Sequence, residues 1–272
     1  MSYPKISIVT PSYNQGTFLE RTILSILNQN YPNLEYFVID GGSTDNSVDI
    51  IRKYENRIDY WVSEKDRGQT DAINKGMRQA TGDIVCWINS DDVLLPGALL
   101  TVGRYFMKHP NIEYLNGVVI EIGRQDEILK MTHTILCKWF AERGAFNTLQ
   151  QGMFWKRSLF EKVGYLDASF HAMMDYEFIV RLFENDIKMD FINKPLGAIR
   201  IYGETKTAMG GDIWTRDRNE LKKMYNGRYI SNKRDINYLL YAICKLVRGY
   251  YFQDLFFKIR YKNRKYYKIF SN

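Results

Sequence analysis

Short apolar segments alternate with helical patterns through the first third of the chain, and this alternation restricts the fold more than any other feature. Each segment is apolar and ends at turn-forming residues, as buried strands do. Strands of this kind, joined by helices of about a dozen residues, are typical of a parallel sheet covered on both faces. The predicted strands are Lys5–Thr10, Leu34–Asp40, Ile58–Val62 and Asp83–Ile88, and the predicted helices contain Leu19–Leu27, Val48–Tyr54 and Gln69–Ala80.

The carboxyl ends of these strands carry polar and acidic residues. Thr10-Pro11-Ser12 follows the first strand and Asp40 ends the second, while Glu64–Asp66 and Asp91-Asp92 follow the third and the fourth. In open sheets of this class, ligands bind at the carboxyl ends of the strands. We therefore expect these four places to converge on one crevice.

Two adjacent carboxylates, Asp91 and Asp92, need an explanation because like charges at this distance repel each other. A divalent cation held by one or two carboxylates together with substrate phosphates removes the repulsion. The alternative is that the two acids cap the helix that opens near Pro96, because Asp is favoured at helix N-termini. Capping of the second helix is also the simpler interpretation of Ser43–Asp45.

The composition is typical of a globular protein, and we expect the chain to fold in the cytoplasm. With 272 residues, 45% of them hydrophobic and 25% charged, the chain can bury a full core. Met1–Lys5 leads into the first strand without a signal peptide, and no apolar stretch reaches the roughly 18 residues that span a bilayer. Cys86, Cys137 and Cys244 lack metal-ligand spacing, so we interpret them as free thiols.

The net charge of +7 is concentrated at the end of the chain. Residues 221–272 contain 13 Lys and Arg against two acids, a net charge of +11, whereas the rest of the chain sums to −4. Two segments rich in aromatic and apolar residues, Tyr238–Cys244 and Tyr250–Phe257, interleave with cations that lie between and after them, Lys245, Arg248, Lys258, Arg260, Lys262, Arg264, Lys265 and Lys268. Such segments suit the surface of an anionic membrane, and a helical cap with a solvated basic face is the alternative. No nucleic-acid recognition motif accompanies the cations, so we expect no nucleic-acid partner.

Four motifs occur in order at the predicted strand ends. They are Ser7–Asn14 (SIVTPSYN), Ile39–Ser47 (IDGGSTDNS), Ser63–Gly68 with Asp71–Gly76, and Asn89–Asp92 (NSDD). In this order they resemble the signature of the family 2 inverting glycosyltransferases. The resemblance covers about residues 5–205. It implies an α/β protein of the GT-A fold, with a Rossmann-like, mostly parallel sheet and helices on both faces, before a C-terminal helical basic extension.

The resemblance assigns the donor site to the first half of the chain. Thr10, Pro11 and Ser12 would form the loop under the nucleotide, and Asp40 would accept a hydrogen bond from the base of a UDP- or dTDP-sugar. Asp66 would lie close to the ribose or the base. Further contacts with the nucleotide sugar are expected at Gly68, Asn74, Asn89, Ser90 and Asp91.

The same resemblance implies a Mn²⁺ or Mg²⁺ cofactor. The family pattern is an acid, any residue, and a second acid, and here Asn89 stands in the first position. We assign the direct metal contact to Asp91, with Asp92 as the second ligand.

The second half of the chain would supply the base. Met173–Phe178 resembles the acidic base motif of the family, with Asp175 taking the proton of the acceptor hydroxyl as its oxygen attacks the anomeric carbon. The alternative is that Asp175 only favours the dipole of the helix that it opens. Tyr202 stands where the family often has a His near the diphosphate, and Arg200 or Lys206 would supply the positive charge there.

These observations predict a domain at residues 1–210, with a nucleotide-sugar half at 1–110 and an acceptor half at 111–210, followed by the extension at 211–272. The expected acceptor is a glycan or a lipid-linked glycan of surface polysaccharide synthesis, met on the cytoplasmic face of a membrane through the extension. Two other classes stay open. A nucleotidyltransferase would need a Gly-rich basic phosphate loop, which Pro11–Gly16 is not, and a non-catalytic protein would use the extension only to dock at a membrane.

Overall fold

A mixed sheet of nine strands forms the centre of the computed structural model, which describes residues 2–147, 149–203, 210–230 and 236–270. Within these residues the strand order is β3-β2-β1-β4-β8-β6-β9-β5, with β7 paired to β6. The strands are β1 (Ile6–Ser12), β2 (Leu34–Asp40), β3 (Tyr60–Ser63), β4 (Ile84–Trp87), β5 (Val93–Leu94), β6 (Tyr114–Ile122), β7 (Ile128–Thr132), β8 (Met153–Lys156) and β9 (Met189–Arg200).

The helices cover and extend this sheet. They are α1 (Gly16–Leu27), α2 (Ser47–Lys53), α3 (Gln69–Gln79), α4 (Ala98–Lys108), α5 (Lys138–Glu142), α6 (Leu159–Val163), α7 (Met174–Glu184), α8 (Asp212–Met224), α9 (Ile236–Val247), α10 (Tyr250–Tyr261) and α11 (Tyr266–Ile269).

The first half of the sheet is parallel, because β1 pairs with β2 and β4, and β2 pairs with β3, in the same direction. The strand β8 runs antiparallel to both β4 and β6, and so joins the two halves into one sheet. The rings of Trp87 and Trp155 meet across this junction at 5.5 Å between centroids, and both are fully buried. The predicted α/β fold class is confirmed.

Close packing of α3 on the parallel strands requires a glycine. A Cβ atom built on Gly76 would lie 2.6 Å from Cγ1 of Val9, a distance that real side chains do not reach. The bare backbone therefore lets α3 approach β1, and this approach brings the N-terminus of α3 to the carboxyl ends of the strands.

The predicted bounds of β1, β3 and β4 and the predicted start of α2 differ from the structure. The strand β3 covers Tyr60–Ser63 instead of Ile58–Val62, and β4 covers Ile84–Trp87 instead of Asp83–Ile88. The strand β1 continues through Pro11 to Ser12, where it pairs only with β2, because its pairing with β4 ends at Val9. A proline is tolerated there because one side of the strand needs no donor. The helix α2 begins only at Ser47, so the expectation that Ser43 or Thr44 caps it is wrong, whereas Asp45 Oδ1 does accept a hydrogen bond from the backbone N–H of Ser47 (2.9 Å).

The C-terminal helices pack against the second half of the sheet. Phe257 of α10 and Tyr266 of α11 are buried with Ile120, Ile122 and Ile128 in one apolar cluster. None of the helices in the described ranges is long and apolar enough to cross a membrane.

Candidate active site

A cleft of about 820 Å³ opens where the carboxyl ends of β1, β2 and β4 meet. The cleft brings together residues that the sequence placed on different strands and in different halves of the chain. The predicted site residues that line it are Pro11, Ser12, Asp66, Gly68, Asn89, Ser90, Asp91, Asp92 and Asp175.

The two adjacent acids have different environments within the turn Asn89–Asp92, which we call the acid turn. Asp91 is partly exposed to the cleft, and its Oδ2 accepts a hydrogen bond from the hydroxyl of Tyr202 (3.0 Å). Asp92 is 2% exposed, and it accepts hydrogen bonds from the backbone N–H of Arg200 (2.8 Å) and from the side-chain amides of Asn89 (3.0 Å) and Gln151 (2.6 Å). Burial, together with the neighbouring Asp91 carboxylate, raises the pKa of Asp92 above its ordinary range.

Arg200 is buried directly behind the acid turn. Its Nε donates to the backbone carbonyl of Asp91 (2.8 Å), and its guanidinium lies 4.7 Å from the ring centroid of Phe18. Its Nη2 lies 2.7 Å from Oδ1 of Asp126. The prediction that Arg200 supplies positive charge to a diphosphate is therefore not supported, because the guanidinium is held by these partners. Lys206, the other predicted cation, lies outside the described residues.

The helix-cap interpretation of the two acids is wrong. The helix α4 begins at Ala98, and its N-cap residue is Gly97, with a positive φ of 75° and no side-chain cap hydrogen bond. The acid turn ends before β5, which separates it from α4.

Asp40 does not line the cleft, which corrects its predicted contact with the base. Its side chain is fully buried and accepts hydrogen bonds from the backbone N–H groups of Gly42 (3.1 Å) and Ser43 (2.8 Å) and from the hydroxyls of Ser43 and Ser63. With both oxygens bonded, the carboxylate shapes the loop after β2.

Asp66 lies on the wall of the cleft, and the sequence predicted that it would lie close to the ribose or the base. The Oδ1 atom of Asp66 accepts a hydrogen bond from the backbone N–H of Gly68 (2.8 Å). A Cβ atom on Gly41 would lie 2.6 Å from Oδ2 of Asp66. The glycine at position 41 therefore leaves the space that Asp66 fills.

Two further predicted contacts lie behind the wall of the cleft. Thr10 is fully buried, and its Oγ1 accepts a hydrogen bond from the hydroxyl of Tyr36 (3.0 Å). The amide of Asn74 bridges the backbone of Leu166, donating to its carbonyl (2.8 Å) and accepting from its N–H (3.1 Å). Both residues therefore support the cleft from the core, and neither lines it.

Asp175 belongs to the second half of the chain, and it lines the same cleft as Asp66 and Asp91. It is in the first turn of α7, and its Oδ1 accepts a hydrogen bond from the backbone N–H of Tyr176 (2.8 Å). Burial raises the pKa of Asp175 to about 6, although the hydrogen bond from Tyr176 acts in the opposite direction and lowers this pKa. A carboxylate with a pKa near 6 accepts protons near neutral pH more readily than an ordinary one.

The loop before Asp175 is held by a residue that the sequence did not single out. Asp217 of α8 is 1% exposed, and its Oδ2 accepts hydrogen bonds from three consecutive backbone N–H groups, those of His171, Ala172 and Met173, at 2.7–3.2 Å. The same helix brings Trp214 to the wall of the cleft.

Amide side chains connect the elements around the cleft, and they were also missed. Gln69, the first residue of α3, donates to Oδ1 of Asn89 (2.7 Å), and the side-chain amide of Gln150 donates to the backbone carbonyl of Trp87. Gln69 directly follows Gly68, and Gln150 lies shortly before β8. Their positions at the ends of elements were the sequence signal that could have identified them.

The donors around Asp91 fit a divalent cation that is shared with a substrate. No group of three or more His, Cys, Asp or Glu side chains in the described ranges could hold a metal alone. Of the two adjacent acids, Asp91 is partly exposed to the cleft, while Asp92 is buried and already bonded by three donors. A hard cation with one protein carboxylate and phosphate oxygens is a usual arrangement for Mg²⁺.

A family model described as Glycosyl transferase family 2 matches residues 7–166. The chain belongs to glycosyl transferase family 2. Its predicted family and its predicted enzyme class, a glycosyltransferase, are confirmed by this match.

Relatives of this chain include three glycosyltransferases. An uncharacterised glycosyltransferase of Mycobacterium tuberculosis is 32% identical over 183 residues, which are 66% of this chain and 69% of that protein. One of Haemophilus influenzae is 39% identical over 97 residues, 35% of this chain and 39% of that protein. The GalNAc(5)-diNAcBac-PP-undecaprenol β-1,3-glucosyltransferase of Campylobacter jejuni is 36% identical over 103 residues, 36% of this chain and 33% of that protein.

Solved structures of the same fold include S. aureus TarS in complex with UDP-GlcNAc. The TM-score is 0.61 at 17% identity, and the match covers 80% of this chain and 66% of that one. A mannosyltransferase of Pyrobaculum calidifontis in complex with GDP-Man and Mn²⁺ matches with a TM-score of 0.55 at 18% identity, over 77% of this chain and 60% of that one. These neighbours confirm the GT-A fold of the family 2 chain.

Proposed function

We propose that this family 2 chain is a metal-dependent inverting glycosyltransferase that uses a pyrimidine nucleotide sugar. The observation that carries the proposal is one cleft that Asp66, Asp91 and Asp175 line together, from three separate parts of the chain. Residues 1–110 would bind the donor and residues 111–210 the acceptor, with Mn²⁺ or Mg²⁺ as the cofactor.

Asp91 would hold the cation, which neutralises charge on the leaving diphosphate when it is bound. Asp92 would stay bonded in the wall. Asp175 would accept the proton of the acceptor hydroxyl while its oxygen forms a bond to the anomeric carbon. The bond from that carbon to the diphosphate breaks on the opposite face, so the configuration is inverted and no enzyme nucleophile is required.

The choice of base depends on the wall beside Asp66. A carboxylate there accepts a hydrogen bond from the ring N–H of uracil or thymine, and Gly41 leaves it room. The fold itself does not decide the base, because TarS was solved with UDP-GlcNAc and the Pyrobaculum enzyme with GDP-Man. We propose a UDP- or dTDP-sugar on the strength of Asp66.

A calorimetric titration tests the donor site. UDP, dTDP and GDP would be titrated into the wild-type protein with and without Mn²⁺, and into Asp91→Ala as the variant. We expect UDP or dTDP to bind only with Mn²⁺. The variant Asp91→Ala should abolish this Mn²⁺-dependent binding. Tight GDP binding would refute the pyrimidine assignment, and no nucleotide binding at all would favour a non-catalytic protein.

The acceptor is proposed to be a glycan on a lipid. The Campylobacter relative is described as acting on an undecaprenol-linked glycan, and a relative from Methanococcus voltae, 27% identical over 203 residues, as acting on a dolichyl-linked sugar phosphate. An acceptor of this kind would lie at the cytoplasmic face of a membrane, as expected for surface polysaccharide synthesis.

The helices α9 and α10 have an apolar surface that suits such a membrane. Its residues recur at helical spacing and are 40–82% exposed. Exposed cations at Arg248, Lys258, Arg260 and Lys262 accompany it. Apolar side chains beside cations favour the interface of anionic lipids. We call this surface the apolar tail face, and it consists of Ile236, Leu239, Leu240, Ile243, Leu246, Val247, Tyr251, Phe252, Leu255, Phe256 and Ile259.

Co-sedimentation with vesicles tests this surface. We expect the wild-type protein to sediment with phosphatidylglycerol vesicles more than with phosphatidylcholine vesicles, and less at high salt. The double variant Phe252→Gln with Phe256→Gln should stay in the supernatant. Ile213→Gln, which changes an exposed apolar residue (53%) on α8, is the matched control and should sediment as the wild type does. Equal sedimentation of all three proteins would contradict the membrane assignment.

A further inference from the structure

The guanidinium of Arg200 connects the acid turn to a second turn of the chain. Besides its bond to Asp91, it donates through Nη1 to the backbone carbonyls of Gly123 (3.0 Å) and Arg124 (3.2 Å). Its Nη2 contacts Asp126, and both charged side chains are buried, Arg200 at 1% and Asp126 at 6% exposure. These three partners belong to residues 123–127, the turn between β6 and β7. The position of the acid turn therefore depends on the position of this second turn.

The turn between β6 and β7 is itself tightly closed. The backbone N–H of Gly123 donates to the carbonyl of Glu127 (2.8 Å), and that of Asp126 donates to the carbonyl of Gly123 (3.1 Å). Asp126 has a positive φ of 68°, and a second guanidinium, that of Arg21, lies 3.5 Å from its Oδ2. A buried carboxylate between two guanidinium groups has little freedom to move.

The end of the chain holds this turn from outside. Residues 263–270, which we call the C-terminal strap, run beside it. The backbone N–H of Ile128 donates to the carbonyl of Arg264 (2.8 Å), and that of Asn263 donates back to the carbonyl of Ile128 (2.9 Å). The N–H of Tyr266 donates to the carbonyl of Asp126 itself (3.0 Å). The ring of Tyr266 is 9% exposed and packs in the cluster that includes Val93 of β5, which follows the acid turn.

We propose that Arg200 and Asp126 are positioning residues for the acid turn, and that the C-terminal strap completes their support. The proposal rests on the metal-dependent donor site proposed above. This support is a second role of the C-terminal extension, separate from that of the apolar tail face, because the strap begins after α10. The strap acts on the donor half indirectly, through the turn at residues 123–127. Residues that orient a metal ligand without touching the metal typically change metal affinity by about 10- to 100-fold when they are replaced.

The test compares the affinity of UDP in the presence of Mn²⁺ across full-length variants. Asp126→Asn removes the negative charge and keeps the shape of the side chain. Arg200→Lys keeps the positive charge but removes the planar guanidinium group that reaches several partners at once. We expect each to raise the Kd of UDP with Mn²⁺ by about 10- to 100-fold. Glu35→Gln is the matched control, because Glu35 is equally buried (7%) and paired with Lys5 at 2.6 Å, but it lies at the opposite end of β2 from the cleft. It should lose stability and leave that Kd unchanged.

The strap is tested by a second pair. Tyr266→Ala should raise the Kd of UDP with Mn²⁺, whereas Tyr241→Ala, which removes an equally buried ring of α9 (5% exposed), should not. Circular dichroism confirms that each variant is folded at the temperature of the titration.

The outcomes separate the two proposals. If folded Asp126→Asn and Arg200→Lys bind UDP with Mn²⁺ as the wild type does, the positioning role is refuted. If Tyr241→Ala and Glu35→Gln weaken binding as much as the test variants, the effect is one of general stability and the inference also fails. If the wild-type protein itself binds no nucleoside diphosphate with Mn²⁺, the proposed donor site fails and the positioning role fails with it.

Discussion

Replacing Asp175 by Asn should make the protein more stable and inactive at the same time. Burial raises the pKa of Asp175 from an ordinary value of 3.8 to about 6, so the folded state binds this proton more tightly than the unfolded state. For such a group, stability is highest below the unfolded pKa and falls as the pH rises through the folded pKa. Above pH 6 the charged carboxylate therefore costs free energy of folding that a neutral amide does not.

The magnitude follows from the shift. Two pKa units correspond to about 3 kcal/mol, and because part of the carboxyl faces the cleft we expect about 1–3 kcal/mol. Denaturant unfolding of Asp175→Asn at pH 8 should show this gain over the wild type, and the gain should shrink to roughly half at pH 5. Asp49→Asn, whose side chain is 78% exposed, is the control and should change stability at neither pH.

The same variant should lose transfer activity by about 10²- to 10⁴-fold, which is the usual contribution of a general base. Wild-type turnover should fall about tenfold per pH unit below pH 6, where the base is protonated. A variant that is less stable than the wild type at pH 8, or one that retains transfer, would show that Asp175 is an ordinary first-turn acid.

Two structural predictions concern the support of the cleft. Asn74→Ala leaves the buried N–H and carbonyl of Leu166 without their amide partner, so urea unfolding should show a loss of about 2 kcal/mol, while the Kd of UDP with Mn²⁺ should stay within about twofold. A tenfold weaker Kd would instead restore the predicted contact of Asn74 with the nucleotide sugar. Gly76→Ala places a methyl group 2.6 Å from Val9, so the same measurement should show a loss of about 1–3 kcal/mol, and an unchanged midpoint would refute the close approach of α3 to β1.

The parallel half of the fold could be predicted because its strands are buried on both faces. The strand β2 was predicted at its observed bounds, Leu34–Asp40, since an apolar run between turn residues leaves little choice. The short strand β5 and the antiparallel strand β8 could not be predicted in the same way. Their pairing depends on contacts far along the chain, such as Val93 with Ala198, which no local pattern reveals.

The sequence predicted which strand ends meet at the cleft, but it could not predict the direction in which each side chain points. A strand end at Asp40 and one at Asp91 look alike in sequence, yet the first carboxylate turns into its own loop and the second faces the cleft. The difference arises from Ser43, in the loop that follows β2, and Ser63, at the end of β3, whose hydroxyls both donate to Asp40. Sequence patterns predict which residues come to one edge of a sheet, whereas the partners of a buried polar group decide where it points.

The adjacent acids of the acid turn illustrate this division. Repulsion from Asp91 raises the pKa of Asp92, but the two carboxylates have different surroundings, because Asp91 is partly exposed to the cleft and Asp92 is buried. The carboxyl group of Asp92 accepts hydrogen bonds from three donors, one of which is the backbone N–H of Arg200. These donors hold the side chain of Asp92 in place without a metal. In the proposed function, the cation would therefore be needed by the diphosphate at Asp91, and not by the protein. Metal should for this reason change the affinity of UDP strongly and the thermal stability of the nucleotide-free protein little; a large stabilisation by Mn²⁺ alone would show that Asp92 turns toward the cleft as a second ligand.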